Sequence, residues 1–125
     1  MSALSLQTAE RIVAAAQAAD AAAFVALLTP DVTFRLGSSP ELRGREAVRA
    51  AVRQLFDSVG RIRHTTQRLA IDGNRIFLQA DVEFARKQGG TVTLPYVNVL
   101  TVESGELIGR YLIHIDIAPL FGNHA

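Results

Sequence analysis

The stretch 76–84 reads Ile-Phe-Leu-Gln-Ala-Asp-Val-Glu-Phe. Side chains alternate across a strand, so Gln79, Asp81 and Glu83 share one face and Leu78, Ala80, Val82 and Phe84 the other. If the polar face is enclosed, desolvation raises the Asp81 carboxyl toward neutrality, and Glu83 reinforces the shift by like charge. Asp81 then becomes a proton-transfer group; if the face meets water, it is only a wetted surface. Tyr96 and Asn98 share a strand face with Leu94 and Leu100. There they either orient a substrate carbonyl or hydroxyl or make ordinary hydrogen bonds in a half-buried sheet. His114 and Asp116, two apart on the last strand, have the spacing that fixes an imidazole in one tautomer for base work. The same face carries Arg110 and Leu112, opposite Ile113 and Ile115, and equally suits a subunit contact or solvent. His64 falls at the start of its strand and His124 near the terminus, so the three histidines lack the spacing of a metal site.

Composition narrows the classes. The 125 residues carry 13 Lys+Arg against 12 Asp+Glu, a net charge of +1, too small to attract polyanions generally. With 49% hydrophobic residues the chain has the material for one buried core, and 1–125 is read as a single domain. Cysteine is absent, which excludes disulfides, a thiol nucleophile and thiolate metal sites. No glycine-rich phosphate loop follows a strand, Gly89-Gly90 being a turn, so neither nucleotide nor other cofactor is expected. No apolar run approaches the roughly 18 residues of a membrane span. The alanine-rich start is interrupted by Glu10 and Arg11 with no basic segment before it, so a cytoplasmic protein without a secretory signal is expected.

The elements that must position these residues follow from periodicity. A helix is predicted over 5–19, with Leu6, Ala9, Val13 and Ala16 at helical spacing. Asp20 caps a second, short helix carrying Phe24, Leu27 and Leu28, which Thr29-Pro30-Asp31 ends. A short strand over 32–36 and a loop through Gly37-Ser38-Ser39-Pro40 lead to an amphipathic helix over 45–59, with Val48, Val52, Leu55, Phe56 and Val59 on one stripe. Arg45, Arg49 and Arg53 form another stripe, read as a solvated face because no aromatics interleave to stack bases; no nucleic-acid partner is expected. Four strands follow, over 63–71, 75–86, 91–102 and 106–117, joined by turns such as Asp72-Gly73 and Ser104-Gly105. The order α-α-β-α-β-β-β-β gives an α+β domain, a curved antiparallel sheet covered on one face by three helices around a cone-shaped, mostly apolar cavity.

This arrangement resembles the nuclear transport factor 2-like superfamily, in its SnoaL-like, ketosteroid-isomerase-like branch. The carriers are Ala19-Asp20, the run Leu28-Thr29-Pro30-Asp31-Val32-Thr33-Phe34, Gly44-Arg45-Glu46-Ala47-Val48, Leu94-Pro95-Tyr96-Val97-Asn98-Val99, Gly105-Glu106-Leu107-Ile108 and Ile113-His114-Ile115-Asp116. They extend over nearly the whole chain and speak to fold more than to reaction. Where ketosteroid isomerases carry their aspartate base, tyrosine and second aspartate, this chain has Leu36, Ile12 and Val97, so that oxyanion-hole mechanism is not expected. Of the residues that limonene-epoxide-hydrolase-like proteins use, Asp81 matches the first aspartate; Gln79, Ile113, Phe34 and Leu36 replace the others. Polyketide cyclases of the SnoaL type need only an acid–base group in an apolar cavity, and that reading stays open.

The resemblance turns the Asp81 face into the cavity. It implies a cofactor-independent isomerase, cyclase, dehydratase or epoxide hydrolase acting on an apolar, oxygen-bearing molecule. Asp81 would carry the proton, with His114 a second catalytic candidate. Gln79, Tyr96 and Asn98 would orient the substrate, and Phe34, Leu36, Phe56 and Ile113 would line the cavity. It also implies a homodimer through the outer sheet face. The alternative is a non-catalytic domain that holds a lipophilic ligand or mediates dimerisation.

Overall fold

A computed structural model describes residues 3–121. Helices α1 (Ala3–Gln17) and α2 (Ala21–Ala26) precede strand β1 (Leu28–Leu36), the two-residue β2 (Leu42–Arg43) and helix α3 (Arg45–Ser58). Strands β3 (Val59–Asp72), β4 (Arg75–Arg86), β5 (Thr91–Val102) and β6 (Ile108–His114) follow, then the single turn α4 (Ala118–Phe121). The six strands form one curved, unclosed sheet in the order β2-β1-β6-β5-β4-β3. Among the described residues, no helix is long and apolar enough to cross a membrane.

The α+β architecture is as the sequence predicts, with differences of detail. The sheet is mixed, because β1 runs parallel to β6 while every other pair is antiparallel. Thr29-Pro30-Asp31 lies inside β1, where the register shifts between Leu28 and Thr33; a bulge accommodates proline, which cannot donate to a ladder. Strand β3 starts at Val59, directly at the end of α3 and four residues before the predicted start. β6 ends at His114, short of the predicted 117.

Local chemistry fixes the helices against the sheet. The Asp20 carboxylate accepts the Ala23 N–H at 3.0 Å, capping α2 as expected. The Arg45 guanidinium donates to the Leu28 carbonyl oxygen through Nε at 2.8 Å, tying the first turn of α3 to the start of β1. Gly37 ends β1 at a φ of +58°, and a β-carbon there would stand 2.6 Å from the Ile115 carbonyl oxygen, so only glycine fits.

The register sorts the sheet into transverse rows that alternate between its faces. Phe34, Tyr111, Leu100 and Ile76 form one row; Ile113, Asn98 and Leu78 form another; Tyr96 pairs with Ala80; and Leu94, Val82 and His64 form a fourth. These point toward the helices and are mostly buried. Between them lie rows pointing the other way: Arg110 with Thr101 and Arg75, Leu112 with Val99 and Phe77, His114 with Val97 and Gln79, and Pro95 with Asp81 and Thr65. Phe24 of α2 sits at the centre of the inner side, stacked on Tyr111 at 5.6 Å and edge-on to Phe34 and Phe56 at 6.4 and 6.3 Å. Each such pair contributes about 0.5–1.5 kcal/mol beyond area burial.

Candidate functional site

Helices and sheet leave a cavity of about 300 Å³ between them. α2 and α3 supply Phe24, Val52, Leu55 and Phe56, β1 supplies Phe34 and Leu36, and the far end of β6 and beyond supply Ile113, Ile115 and Ile117. The wall is apolar almost throughout. Its polar groups are Ser39, His64, Tyr96, Asn98 and Tyr111, and no Asp, Glu, Lys or Arg lines it.

The polar groups cluster on β3, β5 and β6. Asn98 Nδ2 donates to the Tyr111 hydroxyl at 3.3 Å within the core. The His64 ring meets the Tyr96 ring edge-on, centroids 5.7 Å apart. The His64 backbone N–H donates to Gln17 Oε1 of α1 at 2.7 Å, which anchors β3 where the imidazole projects inward. Three polar atoms in this cluster, Tyr96 Oη, Asn98 Oδ1 and His64 Nδ1, are buried without a hydrogen-bond partner. Such atoms cost roughly 1–3 kcal/mol each, which complementary groups on a ligand would recover.

Burial also sets protonation. Desolvation lowers the His64 pKa from 6.5 to about 4, so the imidazole is neutral at pH 7. Desolvation raises Tyr96, helped by the negative charge of Asp81, and raises Tyr111, helped by Tyr96; both remain neutral phenols. The site can therefore accept a proton at His64 and donate hydrogen bonds from the phenols.

Of the candidate site residues, Phe34, Leu36, Phe56, Tyr96, Asn98 and Ile113 line the cavity. Asp81, Gln79 and His114 do not. Val82 and Phe84 are the residues of β4 that face the cavity, so alternation sends Asp81 and Gln79 to the outer side. There Gln67 Nε2 donates to the Asp81 carboxylate at 2.9 Å, and Gln79 Nε2 donates to Gln67 Oε1 at 3.4 Å. His114 is exposed and pairs in register with Val97 on the same outer face. Asp116 Oδ1 accepts the Ala118 N–H at 3.0 Å, so its carboxylate shapes the turn into α4. His124 lies outside the described residues.

His64 is the residue that sequence reading passed over. With β3 begun at residue 63 it stood at a strand end, but the strand starts at Val59 and carries it well inside. The available signal was Ile62 two residues before it on the same strand face, in an alternation that the irregularity between Val59 and Ile62 hides.

A family model for the SnoaL-like domain matches residues 9–110. The chain belongs to the SnoaL-like domain family. Among solved structures, this SnoaL-like domain is similar to an NTF2-like protein of unknown function from Burkholderia pseudomallei, at 22% identity and a TM-score of 0.84, covering 97% of this chain and 96% of that one. It is similar to a candidate SnoaL-like polyketide cyclase from a Jannaschia species, at 18% identity and a TM-score of 0.83 over 94% and 89% of the two chains. An epoxide hydrolase of the LEH-like type from M. tuberculosis aligns at 19% identity and a TM-score of 0.78, over 94% of this chain and 86% of that one. Likeness at such identities shows the fold alone. Among curated proteins, none matches significantly.

Proposed function

We propose that this SnoaL-like domain is a cofactor-independent enzyme that moves a proton on an apolar, oxygen-bearing small molecule bound in the cavity. The observation that carries the reading is a neutral imidazole, His64, beside an unpaired phenol, Tyr96, in an otherwise apolar chamber. In the proposed step His64 takes a proton from the carbon next to a substrate carbonyl. The C–H electron pair moves into the new carbon–carbon double bond, and the carbonyl electrons move to oxygen. The Tyr96 hydroxyl donates to that oxygen as negative charge develops, in apolar surroundings where such a bond stabilises more than it would in bulk solvent. Imidazolium and enolate form a transient ion pair, and returning the proton to carbon or oxygen completes an isomerisation or sets up cyclisation. A base held to about 4 suits a carbon acid that is already activated.

The test requires no knowledge of the natural substrate. An enolisable benzylic ketone such as 2-tetralone is incubated with the protein in D2O, and deuterium entry at its benzylic α-carbon is followed by NMR. Exchange above the buffer rate that falls in His64→Gln supports the reading. Exchange at the buffer rate, or unchanged in the variant, overturns it and favours a cavity that only binds.

We further propose that the outer sheet face pairs with a second copy of the chain. Val97 is exposed there, flanked by Val99, Leu112 and Phe77. The charges around this belt are arranged symmetrically. Leu78, Asn98 and Ile113 form one transverse row, with Arg75 and Asp81 three residues to either side of Leu78 and Arg110 and Asp116 three to either side of Ile113. A two-fold axis along that row sets Arg75 of one copy against Asp81 of the other and Val97 against Val99, the self-complementary pattern of an isologous interface.

A further inference from the structure

The charge state of the cavity wall restricts what can occupy it more sharply than its shape does. α1 contributes Ala16, α2 Phe24, α3 Ala51, Val52, Leu55 and Phe56, and β4 Val82 and Phe84, none of them ionisable. Among the described residues, the ionisable groups that face inward are His64 from β3, Tyr96 from β5 and Tyr111 from β6, and burial holds all three uncharged at neutral pH. The charge felt at Tyr96 through the sheet is that of Asp81, which is negative. An anion entering this cavity would lose its hydration and meet no cation. Such a transfer costs several kcal/mol even after relaxation. Asn98 Oδ1 adds a second constraint. It is an acceptor on a residue 4% exposed, its amide nitrogen already engaged by Tyr111, and only a donor on the ligand can satisfy it.

We infer that the cavity binds a weakly acidic aromatic or enolic hydroxyl compound in its un-ionised form, with the ligand O–H donated to Asn98 Oδ1, and rejects the conjugate anion. The selection differs from that of sites that capture acids with arginine or lysine. Here the ligand's own ionisation, not that of the protein, sets the upper pH limit of binding. The inference rests on reading the cavity as the ligand site of the proposed enzyme, but it concerns binding and needs no turnover.

The chain itself supplies the reporter. It contains two tyrosines and no tryptophan, and both tyrosines line the cavity, so its intrinsic emission comes only from residues a ligand would touch. The probes are naphthalene, 2-naphthol, 2-naphthoate and a nitro-substituted 2-naphthol of lower pKa, with affinities confirmed by calorimetry. At pH 7 2-naphthol should bind up to about tenfold more tightly than naphthalene, the worth of one buried hydrogen bond, and 2-naphthoate at least roughly a hundredfold more weakly than 2-naphthol. Raising the pH should weaken each naphthol about tenfold per pH unit above its own pKa, the nitro compound at the lower pH. In Asn98→Leu the advantage of naphthol over naphthalene should vanish while naphthalene still binds. The inference is overturned if naphthoate binds as well as naphthol, if both naphthols weaken at one common pH, if the advantage survives in Asn98→Leu, or if no probe binds. The comparison of the two naphthols uses the unaltered protein, so it holds even if the variant folds poorly. Intact selectivity with no deuterium exchange would remove the proposed reaction and leave this inference standing.

Discussion

The two faces of the sheet are built from the same six strands, one residue out of step, and they solve opposite problems. On the inner face, rows such as Phe34–Tyr111–Leu100–Ile76 are apolar, and the few polar side chains among them are buried. On the outer face, polar and charged groups surround an apolar belt of Val97, Val99, Leu112 and Phe77: Gln67 bonds both Asp81 and Gln79, and Arg75, Arg110 and His114 lie on the same side. Polar residues concentrate where water can solvate them, so a run of them marks the wet side of a strand. Reactivity belongs to the polar residue that interrupts an apolar face, because only there does desolvation shift its protonation. Asp81 has ordinary surroundings among its neighbours; His64, between Ile62 and the apolar cavity wall, does not.

Substitutions at the two positions give the widest separation between the faces. His64→Gln should lower ketone deuterium exchange by roughly 10²–10⁴-fold, the usual range for loss of a positioned proton carrier. Asp81→Asn should leave the exchange rate unchanged within error. Equal losses at both positions, measured by NMR, would erase the distinction drawn between the faces.

Packing should separate them next. Phe24→Ala removes a ring that is 2% exposed and touches three other aromatic rings, and should lower unfolding stability by about 3–5 kcal/mol in a urea titration. Phe77→Ala on the outer side should cost much less when measured at monomer concentrations. A small effect at Phe24 would mean that the inner face can collapse around the deletion.

pH gives a narrower test. In the unfolded chain His64 takes up a proton near 6.5, whereas in the fold it does so only near 4. The unfolded state therefore binds more protons between these values, so stability falls as pH drops from about 6.5 to about 4 and this contribution then levels off. The loss is about 3 kcal/mol in order of magnitude. His64→Phe should flatten that part of the stability curve relative to the unaltered protein, while removal of His114 on the outer face should leave it in place.

The smallest effect concerns the outer face alone. Arg75→Asp and Asp81→Arg should each weaken self-association by about 1 kcal/mol in sedimentation equilibrium, and the double exchange should restore it. A double variant weaker than either single one would rule out the proposed antiparallel pairing.

Much of this was legible from alternation alone. The strands over 75–86 and 91–102 have the predicted bounds, and with them came the shared face of Tyr96 and Asn98. Alternation defines two faces without saying which one the helices cover. The choice for β4 depended on distant residues, Phe24 and Phe56 among them, that enclose a cavity with Val82 and Phe84 rather than with Asp81. His64 was hidden by a boundary: α3 passes into β3 with no intervening turn, and Gly60 reads as a break although the strand runs through it, in the irregularity between Val59 and Ile62. The two-residue β2 is too short for any periodicity, and the parallel pairing of β1 with β6 joins segments far apart in sequence.

That last pairing has a consequence for how the molecule is made. β6, the last of the six strands in chain order, occupies the third position of the sheet, with β1 on one side and β5 on the other. The β3–β4–β5 meander can assemble from local contacts during synthesis, but the seam that joins it to the amino-terminal half closes only after residue 108 and its successors emerge. Until then β1 has no partner on that side and Phe24 and Phe34 lack Tyr111, so nascent chains present an open strand edge beside exposed aromatic surface. Stalling or truncation before β6 should therefore yield chains retained by chaperones, while release of a few more residues should commit the whole domain to folding at once.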